Sequence, residues 1–103
     1  MTRTIAPPTI DELLPRLREH LPDLAARYRI ASLGTFGSYV RGEQQPDSDL
    51  DLLVEFHTPP SLFEFVRLEN EISALLGVKV DLVMRSALKP SIGRHILRET
   101  QPV

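Results

Sequence analysis

The sequence predicts an α/β (α+β) fold, a small mixed sheet of three or more strands flanked by helices, in 103 residues. Three observations point there. Leucines recur at helical spacing after Pro7-Pro8. Three short apolar stretches, near 30–36, 49–56 and 78–84, are bounded by glycine, proline or polar residues. Helical stretches separate these strands, an order that stacks helices against a sheet.

The first helix follows Pro7-Pro8. Thr9-Ile10-Asp11-Glu12 fits a capping box, and Leu13, Leu14, Leu17 and Leu21 then repeat with helical period. Pro15 and Pro22 each remove a hydrogen bond and crowd the preceding turn, which predicts a kinked or divided element, with Pro22 opening a second short helix through about Tyr28. Ile30 to Phe36 reads as a strand, followed by glycine-rich chain in which Gly34, Gly37 and Gly42 fall within nine residues. A short helix is expected at about 38–42. From Asp49 to Phe56 the alternation of Asp-Leu-Asp-Leu predicts a second strand, ended by Pro59-Pro60. Ser61-Leu62-Phe63-Glu64 is a further capping box, opening a helix with apolar positions 62, 65, 68, 72 and 75/76. Phe63, Phe65, Leu68 and Ile72 are expected in the core, and Gly77 suits the C′ position. Val78–Met84 reads as the third strand. A last helix is expected from about Leu88 to Leu97, with Leu88, Ile92 and Ile96 on one face and Gly93 as its weak point. No repeat, low-complexity tract or linker divides the chain, so one domain over 1–103 is expected.

Composition excludes several function classes. Twelve Lys+Arg against fourteen Asp+Glu give a net charge of −2, which argues against a nucleic-acid or membrane-surface partner. No apolar run approaches the roughly 20 residues a membrane span needs, and Met1–Thr4 opens no apolar leader, so a cytoplasmic location is expected. The absence of cysteine removes disulfides, thiolate nucleophiles and Cys-ligated zinc. His20, His57 and His95 share no site-like spacing and read as solvated surface.

Three acids and one turn carry the chemistry. In a strand, residues i and i+2 share a face, so Asp49 and Asp51 would project together, roughly 6–7 Å apart. Adjacent carboxylates repel, and each resists ionising unless a cation neutralises them. Hard oxygen ligands of this kind suit Mg²⁺. Asp81 is the only polar residue in Val80-Asp81-Leu82-Val83 and supplies a third acid if its strand neighbours the second. Three carboxylates could then surround two cations, the arrangement that aligns attacking and leaving oxygens in phosphoryl transfer. Gly34-Thr35-Phe36-Gly37-Ser38 leaves a strand and enters a helix, where free amides favour an anion. It matches neither a Walker A loop nor a dinucleotide fingerprint. Each feature alone has an ordinary reading as turn chemistry or a solvated edge; their joint occurrence is the signal.

Gly37-Ser38, ten residues, then Asp49-Leu50-Asp51 resembles the motif of the minimal nucleotidyltransferases of the DNA polymerase beta superfamily. The resemblance implies the polymerase beta-like nucleotidyltransferase fold. It implies that Gly37 and Ser38 contact the triphosphate of ATP and that Asp49 and Asp51 bind two Mg²⁺ ions. Asp81 would be the third ligand and the activator of the acceptor hydroxyl. Arg41-Gly42 matches the family's Arg-Gly, which shapes the short helix as much as it touches ligand. Members this short resemble the antitoxin half of toxin–antitoxin pairs, in which AMP passes from ATP to a tyrosine of a HEPN-domain toxin held in a hetero-oligomer. Two other readings stand beside this one. A non-catalytic module could neutralise its partner by occlusion. A small-molecule nucleotidyltransferase would need an acceptor domain that 103 residues leave no room for.

Overall fold

The computed structural model describes residues 7–103. Helix α1 (Ile10–Tyr28) runs unbroken through Pro15 and Pro22, where a kink or division was expected. The reason is the face each residue takes. Leu13, Leu14, Leu17, Leu24 and Tyr28 form a buried stripe, whereas both prolines are exposed. The carbonyls deprived of a donor belong to Asp11 and Arg18, four residues earlier and also exposed, on the side of the helix that solvent reaches. Burial of the stripe outweighs two hydrated defects. The capping box expected at Thr9 does not form: the Thr9 carbonyl accepts from the Glu12 and Leu13 amides at 3.1 and 3.2 Å, and its side chain makes no cap bond.

Four strands make one sheet: β1 (Ile30–Phe36), β2 (Leu50–Phe56), β3 (Val80–Met84) and β4 (Gln101–Pro102). Their order is β3-β2-β1-β4, with β1 antiparallel to β2 and β4, and β2 parallel to β3. The sheet is therefore mixed, as expected. Strand β2 begins at Leu50 and β3 at Val80, one and two residues later than the alternation suggested. β4 was not foreseen. Two residues, one of them proline, carry no periodicity, and the pairing exists only because Gly34 and Thr35 offer an open edge to Pro102 and Gln101. Gly34 makes this approach possible: a Cβ there would collide with the Thr100 methyl and lie 3.2 Å from the Gln101 carbonyl.

The parity of the ladder separates two faces. Leu33, Leu50, Leu52, Val54, Val80 and Leu82 point into a core shared with α1 and with α3 (Leu62–Leu76). Across that layer Arg27 of α1 pairs with Glu71 of α3, and the Tyr28 hydroxyl donates to Glu71 at 2.9 Å. Ser61 caps α3 as expected, accepting from the Glu64 amide and donating to its carboxylate, both at 3.1 Å. Gly77 closes the helix at φ 69°. The same helix serves the outer edge of β3: Ser73 Oγ accepts from Val80 N–H at 3.0 Å and Glu69 from Leu82 N–H at 2.8 Å.

Two apolar assignments fail on α3. Leu62 is 80% and Phe63 70% exposed, because the first turn stands clear of the core. Inward packing begins at Phe65, edge-on to Phe56 at 6.4 Å, and continues through Leu68 and Ile72. After a 3-10 turn (Arg85–Ala87) comes α4 (Pro90–Glu99), displaced by two residues from the expected span because Pro90 sets its first turn. Ile92 lies 56% exposed rather than on a packed face. The only buried residue of α4 is Gly93, against Leu88. Among the described residues no helix is long and apolar enough to cross a membrane.

The contrast within α3 is testable by urea denaturation. Leu68→Ala, which empties a fully buried position, is expected to cost about 2–5 kcal/mol. Phe63→Ala is expected to stay within about 0.5 kcal/mol, as surface substitutions do.

Candidate active site

The face of the sheet turned away from α1 and α3 carries the acids. Asp51 on β2 lies directly opposite Asp81 on β3 in the parallel register. Strands stand about 4.8 Å apart, so the two side chains rise from neighbouring points of one face. Asp49 sits one residue before β2, outside the ladder, with its carboxylate 3.9 Å from Lys79 Nζ. The Leu50 amide donates to the Lys79 carbonyl at 2.8 Å and fixes this entry to the strand. Burial, then the charges of Asp81 and Asp49, push the Asp51 carboxyl up to about 6, with Arg41 pulling the other way. The repulsion expected of adjacent acids is thus present, and it falls on the most enclosed of the three.

The glycine turn meets this cluster from β1. Gly37 follows the strand at φ 84° and ψ −158° and stands at the entrance of α2 (Ser38–Arg41). An ideal Cβ at Gly37 would fall on the Asp51 carboxylate, so glycine is required twice, for its backbone angles and for this close approach. Ser38 is the first residue of α2 and Tyr39 is buried beneath it in the core, where burial and then the Asp49 charge raise its hydroxyl above the usual phenol range. Arg41 closes the short helix. It pairs with Glu43 at 2.9 Å and with Glu99, which enters from the last residue of α4. Glu99 also accepts from the Gly37 amide at 3.3 Å. Burial pushes the Glu99 carboxyl up, but Arg41 and the Gly37 amide together hold it below the usual carboxylate range.

Asp49, Asp51, Asp81, Gly37, Ser38 and Arg41 are therefore brought to one end of one sheet face, by β2, β3 and the β1–α2 turn. Asp51 is the centre. It lies against Gly37, opposite Asp81, and within the fields of Asp49 and Arg41. Sequence reasoning missed Glu99. It stands 58 residues from Arg41 in the chain, and the Glu-Thr that ends α4 carries no motif. The one available signal was the acidic residue at a helix C-terminus, where the dipole disfavours it.

Among the described residues no three acids or histidines converge into a preformed metal cage. Asp49, Asp51 and Asp81 are the carboxylates that would hold a Mg²⁺ ion, which takes one or two protein carboxylates and completes its shell with water and substrate phosphate. The donor set is all hard oxygen, and the Asp51 carboxyl is raised first by burial and then by the charges of Asp81 and Asp49.

Asp51 makes the metal-free protein pH-sensitive. Its folded pKa of about 6 stands above the ordinary aspartate value of 3.8, so the folded state holds the proton more tightly. The cost is absent below about pH 4, grows as pH rises toward 6 and is complete above it. Because the side chain is partly solvated, Asp51→Asn is expected to stabilise the metal-free protein at pH 8 by about 1 kcal/mol, raising Tm by roughly 4–8 °C. Thermal melts at pH 4 are expected to show no gain.

Comparison with known proteins agrees with this geometry. The family profile described as Nucleotidyltransferase domain matches residues 16–103. A relative from Thermococcus cleftensis, the protein adenylyltransferase MntA, is 48% identical over 91 residues, spanning 88% of this chain and 92% of the relative. A solved minimal nucleotidyltransferase structure superposes with a TM-score of 0.77 at 41% identity, over 89% of this chain and 94% of the other. A complex of tri-AMPylated Shewanella oneidensis HEPN toxin with MNT antitoxin contains a chain similar at TM-score 0.57 and 17% identity, over 89% of this chain and 66% of that one, a likeness of fold alone. With the turn, the strand register and the profile in agreement over most of its length, this chain belongs to the nucleotidyltransferase domain family.

Proposed function

We propose that the chain is an antitoxin that transfers AMP from ATP to a tyrosine hydroxyl of a HEPN-domain toxin, in a Mg²⁺-dependent reaction. The observation that carries this reading is the opposition of Asp51 and Asp81 across β2–β3 with Gly37 packed on Asp51. The relative at 48% identity bears the name of a protein adenylyltransferase, and a chain of similar fold occurs in a complex with an AMPylated HEPN toxin. In this reading residues 1–103 act as one nucleotidyltransferase domain in the cytoplasm, held in a hetero-oligomer with the toxin.

Asp49, Asp51 and Asp81 would hold Mg²⁺, which supplies charge neutralisation for the triphosphate when bound. The Gly37 amide, Ser38 and Arg41 orient the phosphates. The tyrosyl oxygen attacks the α-phosphorus as its proton passes to the Asp81 carboxylate. A bond from tyrosyl oxygen to phosphorus forms, the bond to the bridging oxygen breaks, and pyrophosphate leaves with the electron pair. The chain's contribution is positioning on a rigid strand pair together with charge placement. In this reading the acceptor tyrosine is brought by the partner toxin, as in the complex that contains a chain of similar fold.

Incubation with labelled ATP, Mg²⁺ and the product of the neighbouring gene, where that product is a HEPN-domain protein, is expected to label that protein. Asp49→Ala with Asp51→Ala is expected to reduce labelling by at least about 100-fold. Unlabelled toxin, or label unaffected by that double substitution, overturns the reading. Asp81→Ala is expected to abolish protection of cells from the toxin; retained protection would assign neutralisation to occlusion.

A further inference from the structure

We propose that Glu99 is an internal occupant of the phosphate position, bound to Gly37 N–H and Arg41 in the nucleotide-free chain and displaced when the triphosphate enters. This rests on the proposed nucleotide site and deepens it. A carboxylate and a phosphate oxygen compete for the same donors, an N–H at a turn and a guanidinium. Glu99 takes both at once: its Oε2 faces the Gly37 amide at 3.3 Å and its Oε1 pairs with Arg41. Its side chain is only 17% exposed, whereas Glu43, the other partner of Arg41, is 65% exposed and does not reach Gly37. One carboxylate is an incidental surface pair, and the other is inserted.

The element that carries Glu99 is suited to giving it up. Helix α1 buries five residues and α3 three, but α4 buries only Gly93. Its C-terminal end is held by Glu99 on the Gly37–Arg41 turn, by Thr100 against Gly34, by the two-residue strand β4 and by Val103, which donates its N–H to the Leu33 carbonyl at 3.0 Å and packs at the edge of the core. An element with so little buried apolar surface opens at low cost. The triphosphate therefore has to displace an anion already in place, and the apparent affinity of the site is reduced by the fraction of molecules in which Glu99 occupies it. Displacement frees α4 and β4 from the turn. Nucleotide binding is thereby coupled to the C-terminal segment.

The test is ATP binding with Mg²⁺ by calorimetry, together with hydrogen exchange across residues 90–103, on the full chain. Glu99→Gln keeps the shape and removes the charge, and is expected to tighten ATP about 3- to 10-fold. Glu43→Gln is expected to leave the affinity unchanged. In the wild type, ATP is expected to speed amide exchange in 90–103. Equal or weaker ATP binding by Glu99→Gln would assign Glu99 to holding Arg41 for the nucleotide and overturn the proposal, as would exchange that ATP leaves unchanged or slows. If Glu99→Gln does not fold, the wild-type exchange measurement decides alone. Wild-type protein that binds ATP no better than Asp49→Ala with Asp51→Ala would instead overturn the nucleotide site itself, a result separable from failure of the Glu99 exchange.

Discussion

Asp51 is a half-buried carboxylate held against two others, and the rest of the molecule is organised around keeping it there. Left to itself such a group would rotate into water or move away from its neighbours. It does neither, because it is one residue inside a strand whose alternate positions, Leu50, Leu52 and Val54, are buried in the core. Turning Asp51 outward would expose those leucines. The hydrophobic layer below the sheet thus holds the charged layer above it in a repulsive arrangement, and that repulsion is what gives the site its demand for cations.

Each neighbouring element contributes a different kind of support. The antiparallel pairing of β1 with β2 sets Phe36 opposite Asp51, so the turn that follows β1 arrives at the carboxylate with no freedom to miss it. A side chain at residue 37 could not fit there. The parallel pairing of β2 with β3 brings Asp81 alongside, and a parallel pair requires a crossover. Helix α3 is that crossover, and its Ser73 and Glu69 also satisfy edge amides of β3. The Arg27–Glu71–Tyr28 cluster ties α1 to the same helix. The site is therefore rigid on the side of β2 and β3. On the side of α4 it is held by fewer contacts: the Glu99 carboxylate on Arg41 and Gly37, the Thr100 methyl against Gly34, and the short strand β4 with Val103 at the edge of the core.

What could be read in the chain followed from spacing. Asp49 and Asp51 lie two apart in an alternating stretch, Gly37-Ser38 precede them by a fixed interval, and Asp81 interrupts an apolar strand. Such patterns are local, and local backbone geometry preserves them. The misreadings have a common physical source. Pro15 and Pro22 predict a kinked or divided helix, but the cost of a proline depends on whether the carbonyl it orphans can be hydrated, and both lie on the solvent side. The sequence places Phe63 in the core because it is apolar, yet whether the first turn of a helix meets the sheet depends on where the preceding loop delivers it, and both Leu62 and Phe63 stand exposed. The spacing puts Leu88, Ile92 and Ile96 on one face of a helix, but α4 begins only at Pro90, and its buried residue is Gly93, against Leu88.

The first three strands, the order of helices and strands up to α4, and the acidic and glycine residues of the site were determined by the amino-acid sequence, since propensity, period and interval are properties of neighbouring residues. Tertiary structure alone decided that Asp51 faces Asp81, that Gly37 lies on Asp51, that β4 completes the sheet and that Glu99 reaches Arg41 across 58 residues. Those relations depend on strand register and on how a lightly buried helix returns to the sheet edge. Register is set by which residues the whole core buries together, and no stretch of sequence records that by itself.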